Sequence, residues 1–340
     1  MKVVIVGSGM AGVGLAEELK RQTPDFSVTL VTRDTLGFYS RPMLSHAFSQ
    51  DESNARRIVI KTFAALAGAG IEVRAGTDAL AIDRSARKLT VKNLDGGNDG
   101  RDQQLAYDCL VLAPGSEAFI PPTWTGGRGH FYVLNRIEDM QAMRARRDQV
   151  AAAGHPTLSW AVVGGGLIGL EVASDLRKAG DEVTVYHAAD RLMERTLDAE
   201  TSERLLGHLR SQGIEVLLDQ KVEGFSASAA GAGAVTVTAQ SGARTFAAAV
   251  VAVGFRPRTQ LAASAGLAVR RGIVCDRRFT TEDPAIRAVG DAAEVDGVLY
   301  PFVTPIFSQA KHLASLLTGK IDTDWTAPTF PVRMKIHGFR

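Results

Sequence analysis

Residues 2–12 read KVVIVGSGMAG, and residues 13–22, VGLAEELKRQ, continue as a helix-like stretch. A β-branched run, a glycine turn and a helix therefore follow one another. Gly7 permits the tight turn, Gly9 lets the backbone approach a pyrophosphate, and Gly12 lets helix and strand pack closely. The free N–H groups and partial positive charge of the helix start would face phosphates across Met10 and Ala11. A second strand, Ser27–Val31, follows at the expected distance.

The pattern then recurs. Trp160–Val163 runs into Gly164-Gly165-Gly166-Leu167-Ile168-Gly169, followed by helical LEVASDLRKAG (170–180) and the strand Glu182–Tyr186. One glycine turn of this kind is a weak signal, whereas a repeat in the same strand–turn–helix–strand context predicts a pair of dinucleotide sites, each on its own doubly wound sheet. A hydride donor and a hydride acceptor are the natural pair. An acid about 20 residues beyond the glycines usually holds a ribose hydroxyl. In the first unit Asp34 is the nearest acid, slightly late. The second strand ends instead in His187, with Arg191 nearby; that Arg is read either as a partner for a 2′-phosphate or as a surface residue opening a helix.

At about 150 residues per domain, the 340-residue chain suggests two domains. Its 45% apolar and 22% charged residues argue against a disordered chain. Thirty-nine basic against 37 acidic residues gives +2, without the basic excess of a dedicated nucleic-acid binder. The densest basic run, Arg144–Arg147, reads first as a solvated helix face and second as a docking patch for an acidic protein. Two cysteines, Cys109 and Cys275, exclude a disulfide scaffold and a Cys-rich zinc site, and no metal site is expected. The cysteine usage predicts an intracellular, cytoplasmic chain. No apolar run reaches the ~20 residues of a membrane span. The apolar stretch after Lys2 is explained by the glycine motif rather than by a signal peptide.

Five stretches in order carry a resemblance: Val3–Gly12, Tyr39–Ser45 (YSRPMLS), Leu110–Gly115 (LVLAPG), Val162–Glu171 and Ile286–Asp291 (IRAVGD). The chain resembles the FAD-dependent pyridine nucleotide oxidoreductases, in the branch of the ferredoxin, putidaredoxin and rubredoxin reductases. YSRPMLS, GFRPRT (254–259), AGLAVRRGIV (265–274) and GDAAEVDG (290–297) are most similar to the bacterial rubredoxin–NAD reductases.

The resemblance implies an α/β architecture. A FAD domain would be split between residues 1–113 and 245–320, with an NAD(P)H domain inserted at 114–244. The C-terminal interface domain would be truncated to a remnant at 321–340, with PVRMKIHGFR as its opening strand. It places the FAD pyrophosphate on Gly7, Gly9, Met10, Ala11 and Gly12, with Asp34 at a ribose and Asp291, beside Gly290, at the ribityl chain; Asp291 can equally cap a helix. Arg41 and Pro42 match the flavin-contacting turn, Ala113 and Gly115 the family's Ala-Thr-Gly turn, and Gly254 a further motif glycine. Gly164, Gly166, Leu167, Ile168, Gly169 and Arg191 would hold NADH, with NADPH possible, and Glu171 matches a Glu lying between helix and cofactors. His46 stands where ferredoxin-reducing relatives often carry Lys, and reads as a surface loop histidine.

Disulfide reductases of the family pass electrons to a cysteine pair beside the flavin. No such pair exists here, so no protein residue is assigned a catalytic redox role. The implied activity is NAD(P)H oxidation through FAD, with single electrons passing to rubredoxin. The alternatives are a [2Fe–2S] ferredoxin of an oxygenase system, or a slow-turnover interaction protein in the manner of apoptosis-inducing factor. Dimerisation is left open.

Overall fold

The computed structural model describes residues 1–49, 58–95, 101–154, 157–229, 233–331 and 333–339. Along the chain, β1 (Lys2–Val6), α1 (Met10–Gln22), β2 (Ser27–Val31) and β3 (Glu72–Arg74) come first, then an antiparallel set, β4 (Thr77–Asp83), β5 (Lys88–Asn93) and β6 (Gln103–Ala106), and then β7 (Cys109–Leu112). The middle of the chain holds β8 (Tyr132–Val133), α2 (Ile137–Ala152), β9 (Ser159–Val163), α3 (Leu167–Lys178), β10 (Glu182–Tyr186), α4 (Ala199–Ser211) and β11 (Glu215–Leu217). A second antiparallel set, β12 (Val222–Ala227), β13 (Val235–Ala239) and β14 (Gly242–Phe246), precedes β15 (Ala248–Val251). β16 (Ile286–Ala288) and α5 (Val303–Leu317) follow.

The chain separates into two compact units. The first takes the described residues of 1–40, 59–117 and 256–331; the second takes those of 41–58, 118–255 and 332–340. The first has a parallel sheet of order β16-β7-β1-β2-β3, in which Val6 pairs with Val31 on one side and Leu112 on the other. Its inner strands β1 and β7 are buried and apolar on both faces from Val3 to Val6 and from Cys109 to Leu112, as a helix-covered parallel sheet requires. Leu15 and Leu19 of α1 and Leu313 and Ala314 of α5 are fully buried against one side. Each buried Leu contributes about 1.5–3 kcal/mol.

The second unit repeats the plan in the order β8-β15-β9-β10-β11, with Val163 between Tyr186 and Val251. The inserted segment runs past the expected boundary at 244 because β15 is a sheet strand beside β9. The antiparallel β12–β14 set packs on the 3₁₀ segment Pro122–His130, where Trp124 meets Phe225 edge-on at 5.3 Å. The small-residue segment 227–234, between β12 and β13, lies partly outside the described residues.

α2 begins at Ile137, because the Asp139 carboxylate accepts the N–H groups of Asn135 (2.9 Å) and Arg136 (2.8 Å) and so fixes its start. Some expectations need correction. The basic run on this helix is not a solvated face. Arg144 donates to the Ala47 carbonyl, and Arg146, 9% exposed, donates twice to the Ala247 carbonyl. Arg147 clamps the fully buried Asp181 at 2.6 and 3.2 Å and also donates to the Phe48 and Ala179 carbonyls. Loop carbonyls along this face need donors, and a guanidinium supplies five in a fixed fork.

The strand expected at the C-terminal end is not formed among its described residues. Residues 333–339 run along α3, and their N–H groups go to side chains: Lys335 N–H to Glu171 at 3.0 Å and His337 N–H to the Ser174 hydroxyl at 3.0 Å.

Candidate functional site

The two glycine turns are near copies. In the first, Gly7 N–H donates to the Val31 carbonyl (2.8 Å) and Val13 N–H to Gly9 (3.0 Å); in the second, Gly164 donates to Tyr186 (2.9 Å) and Leu170 to Gly166 (3.0 Å). Gly7 and Gly164 lie at φ of +110° and +120°, where a side chain would be strained. A Cβ on Gly12 would lie 1.9 Å from the Gly7 carbonyl oxygen, and one on Gly169 would lie 2.0 Å from that of Gly164. These four glycines are therefore demanded by the fold itself.

Gly9 and Gly166 are different. Their φ values are an ordinary −75° and −88°, and a Cβ on either would meet no atom within 4 Å. Neither backbone strain nor packing asks for glycine there. Both residues cap helices that have no side-chain cap and no acid in the first turn. α4, by contrast, is closed by Asp198, whose carboxylate accepts the Thr201 N–H at 2.7 Å. Open space above uncapped N–H groups is the cradle that a pyrophosphate fills. The residues present thus fit a dinucleotide at each turn.

The strand ends separate the two cradles. Asp34, 8% exposed, accepts the Ser8 hydroxyl at 2.9 Å, and Ser8 and Thr32 share a 2.7 Å hydroxyl contact. The late acid is thereby drawn back to the glycine turn. In the second unit His187 Nδ1 accepts the Gly165 N–H at 3.1 Å. Arg191 donates to the Leu197 and Glu194 carbonyls, both at 2.7 Å, and so ties its own loop.

The remaining expected residues fall around these frames. Gly290 lies so close to α1 that a Cβ on it would stand 2.8 Å from the Ala11 methyl, and its N–H donates to the Gln309 side chain at 2.8 Å. This brings Asp291 to the first cradle, where its carboxylate accepts the Ser116 hydroxyl at 2.8 Å. Asp291 does not cap α5, whose N-cap is Phe302. Ala113 N–H extends the ladder to Val6 at 2.9 Å, and the Gly115 carbonyl accepts from Arg258 N–H at 2.9 Å. Gly254 accepts from Phe119 N–H at 2.9 Å. Met10, Ala11 and Gly12 form the first turn of α1, as Leu167, Ile168 and Gly169 do for α3.

Arg41 and Pro42 open the 3₁₀ turn Arg41–His46, with Arg41 reaching Asn135 at 3.5 Å. Glu171 lies one turn into α3 rather than at its start. It is 6% exposed, with Oε2 accepting from the Ser45 hydroxyl at 2.7 Å and Oε1 from Lys335 N–H. His46 is not a surface histidine: it is 7% exposed, and burial pushes its imidazole below the usual value.

Sequence reading missed Ser8, Thr32, Ser45 and the tail residues Lys335 and His337. Ser8 was the accessible signal, being a hydroxyl inside the glycine motif. Both cysteines are buried and free, and burial pushes Cys109 up to about 11 and Cys275 up to about 12.

Comparison with known proteins bears on this arrangement. Residues 1–312 match the family described as pyridine nucleotide-disulphide oxidoreductase. The nitric oxide reductase FlRd-NAD(+) reductase of Salmonella gallinarum is 35% identical over 319 residues, covering 93% of this chain and 79% of that protein. Putidaredoxin reductase, solved as a covalent complex with putidaredoxin, is 31% identical at a TM-score of 0.83, over 97% of this chain and 78% of its own. Reduced CoADR-RHD of Bacillus anthracis shares the fold at a TM-score of 0.89 and 24% identity; 99% of this chain spans 60% of that one.

Proposed function

The chain belongs to the pyridine nucleotide-disulphide oxidoreductase family and is a FAD- and NAD(P)H-dependent oxidoreductase; on that premise we propose that it is a rubredoxin-reductase-type enzyme, oxidising NADH and passing single electrons to a small iron protein in the cytoplasm. The observation that carries this reading is the state of the thiols. Cys109 and Cys275 are unpaired and buried, with pKa values pushed to about 11 and about 12. Neither forms the thiolate that a disulfide relay needs at neutral pH. Electrons from the cofactor must therefore leave by another route, and a small one-electron carrier supplies it.

In this reading Gly9–Gly12 of the first turn would hold FAD, with Asp34 and Asp291 offered to its ribose and ribityl hydroxyls, and Gly166–Gly169 of the second turn would hold NADH. When bound, the nicotinamide supplies a hydride to the flavin, and the flavin divides the electron pair into single electrons. The protein's part is positional. Uncapped N–H groups of α1 and α3 orient each pyrophosphate, and Ser8 keeps the Asp34 carboxylate turned toward the first cradle. The Arg191 guanidinium is spent on carbonyls of its own loop, which supports NADH over NADPH.

A second reading, a [2Fe–2S] ferredoxin as the acceptor, draws on the 31% identity to putidaredoxin reductase. Anaerobic stopped-flow separates the two. NADH is expected to bleach the flavin faster than NADPH, and oxidised rubredoxin to restore its colour faster than ferredoxin. Equal or faster reoxidation by ferredoxin overturns the rubredoxin reading. Reoxidation by a disulfide substrate at the same rate overturns both.

A further inference from the structure

We infer that His46, Asp175 and His337 form a binding site for a first-row divalent cation, with Zn²⁺ the best chemical match. The three residues come from separate pieces of the second unit: the end of the Arg41–His46 turn, the middle of α3, and the tail along α3. One ligand atom from each lies within 4.8 Å of the others. Two imidazoles and a carboxylate are a donor set suited to Zn²⁺, Co²⁺, Ni²⁺ or Fe²⁺, and a poor one for Mg²⁺ or Ca²⁺.

Asp175 is fully buried and held rigidly. Its Oδ2 accepts the N–H groups of Phe48 (2.8 Å) and Ser49 (3.0 Å). Its Oδ1 takes the Ser49 hydroxyl at 2.5 Å and faces both imidazoles, His337 Nε2 at 2.9 Å and His46 Nδ1 at 4.0 Å. Tetrahedral zinc, with bonds near 2.0–2.2 Å, sets its ligand atoms about 3.3 Å apart. The pair at 2.9 Å needs to open slightly, the pair at 4.0 Å to close by about 0.7 Å, and the two imidazole nitrogens, within 4.8 Å of each other, to close by up to about 1.5 Å.

His46 supplies the independent sign that something is meant to fill the site. Its side chain is 8% exposed, and its buried Nε2 makes no hydrogen bond. Nε2 stands 3.9 Å from the Glu171 Oε2, just beyond bonding reach. A cation on Nδ1 would draw the ring into register, with Nε2–H donating to Glu171. That is the carboxylate–histidine–metal arrangement that fixes a ligand's tautomer. On His337, Nδ1 lies 3.4 Å from the Lys178 ammonium, which leaves Nε2 for the cation in place of its proton. The His337 side chain is 31% exposed, which gives the ion an entry path and a water-facing fourth position. A bound ion would staple residues 333–339 to α3.

The test uses the full, tag-free chain with its flavin retained, stripped with EDTA, dialysed into metal-free buffer and titrated with Co²⁺. One equivalent is expected to give the visible d–d bands of a low-symmetry site, displaced by Zn²⁺. His337→Ala sits on the partly exposed tail and is expected to keep flavin absorbance and a cooperative melt while weakening Co²⁺ binding more than about tenfold. His46→Gln is expected to do the same. Absence of d–d bands with only substoichiometric Zn²⁺ retention overturns the proposal. So does unchanged affinity in either folded variant.

Discussion

Gly166→Ala isolates the ligand's demand for glycine from the fold's. Gly166 sits at φ −88° and ψ 180°, an extended conformation open to alanine, and the added methyl meets no protein atom within 4 Å. The fold loses only the difference between glycine and alanine as a helix N-cap, about 1 kcal/mol or less. Tm should therefore fall by no more than about 4 °C. The methyl instead occupies the space in which a pyrophosphate must approach the N–H groups of α3. Losing one hydrogen bond to a charged group costs about 1.5–3 kcal/mol. The Kd for NADH should then rise about 10- to 150-fold. The assay is the NADH dependence of anaerobic flavin bleaching, with FAD content and Tm measured on the same preparation. Gly169→Ala is the contrast: its Cβ would lie 2.0 Å from the Gly164 carbonyl oxygen, so misfolding is expected. An unchanged Kd in well-folded Gly166→Ala would refute the reasoning, and loss of FAD in place of NADH affinity would reverse the assignment of the two turns.

Asp291→Ala should lower the flavin-to-protein ratio of the purified enzyme, and full FAD occupancy would remove Asp291 from the binding set. Arg147→Met strips the partner from the fully buried Asp181 and should cost roughly 3 kcal/mol in urea unfolding; a loss below about 1 kcal/mol would show that Trp160 Nε1–H and Leu158 N–H suffice for that carboxylate. The thiols give a pH signature, because burial raises Cys109 to about 11 and Cys275 to about 12, whereas unfolded thiols ionise near about 8.5. The unfolded chain thus sheds protons that the folded chain keeps, so this stabilisation is intact below about pH 8.5 and is lost as pH climbs toward the folded values. The urea midpoint should fall between pH 8 and pH 10.5 for this term; a midpoint that rises, or rapid labelling of both thiols in the native protein at pH 8, would contradict their burial.

The fold was legible because its deciding signals are local. A β-branched run, a glycine turn and a helix lie next to one another at β1–α1 and again at β9–α3, and no long-range knowledge is needed to read them. The misreading of Arg144–Arg147 has a specific cause. Ile137, Met140 and Met143 are buried at a three-residue spacing, and Arg146 is the next position on that stripe, itself buried. The charge of the run suggests solvent, whereas its place on the apolar stripe points inward. The tail could not be read in this way. Lys335 meets Glu171, and His337 meets Ser174 and Asp175, across more than a hundred and sixty residues, and no spacing rule registers such partners. An opening strand was implied by the resemblance, but the tail's N–H groups found side chains on a helix instead of a neighbouring strand.

The second position of each glycine motif is where the two otherwise matching backbone frames differ. In the first turn it is Ser8, whose hydroxyl reaches Asp34, three residues beyond β2. In the second it is Gly165, where a Cβ would lie 2.7 Å from the His187 ring and 2.7 Å from the Leu192 side chain. The His187 ring thus fills the space that the Ser8 side chain occupies in the other copy, and it takes the Gly165 N–H on Nδ1. His187 therefore requires glycine at position 165, whereas Asp34 is met by the Ser8 hydroxyl. Met193 N–H binds the Gly165 carbonyl at 3.0 Å, and Arg191 ties the loop at Glu194 and Leu197, so the residues beyond β10 close over the second turn. The first turn has a carboxylate beside it, whereas the second has an imidazole and a loop whose cation is already engaged. That difference, rather than the glycines common to both, is what would let the two turns choose FAD and NADH.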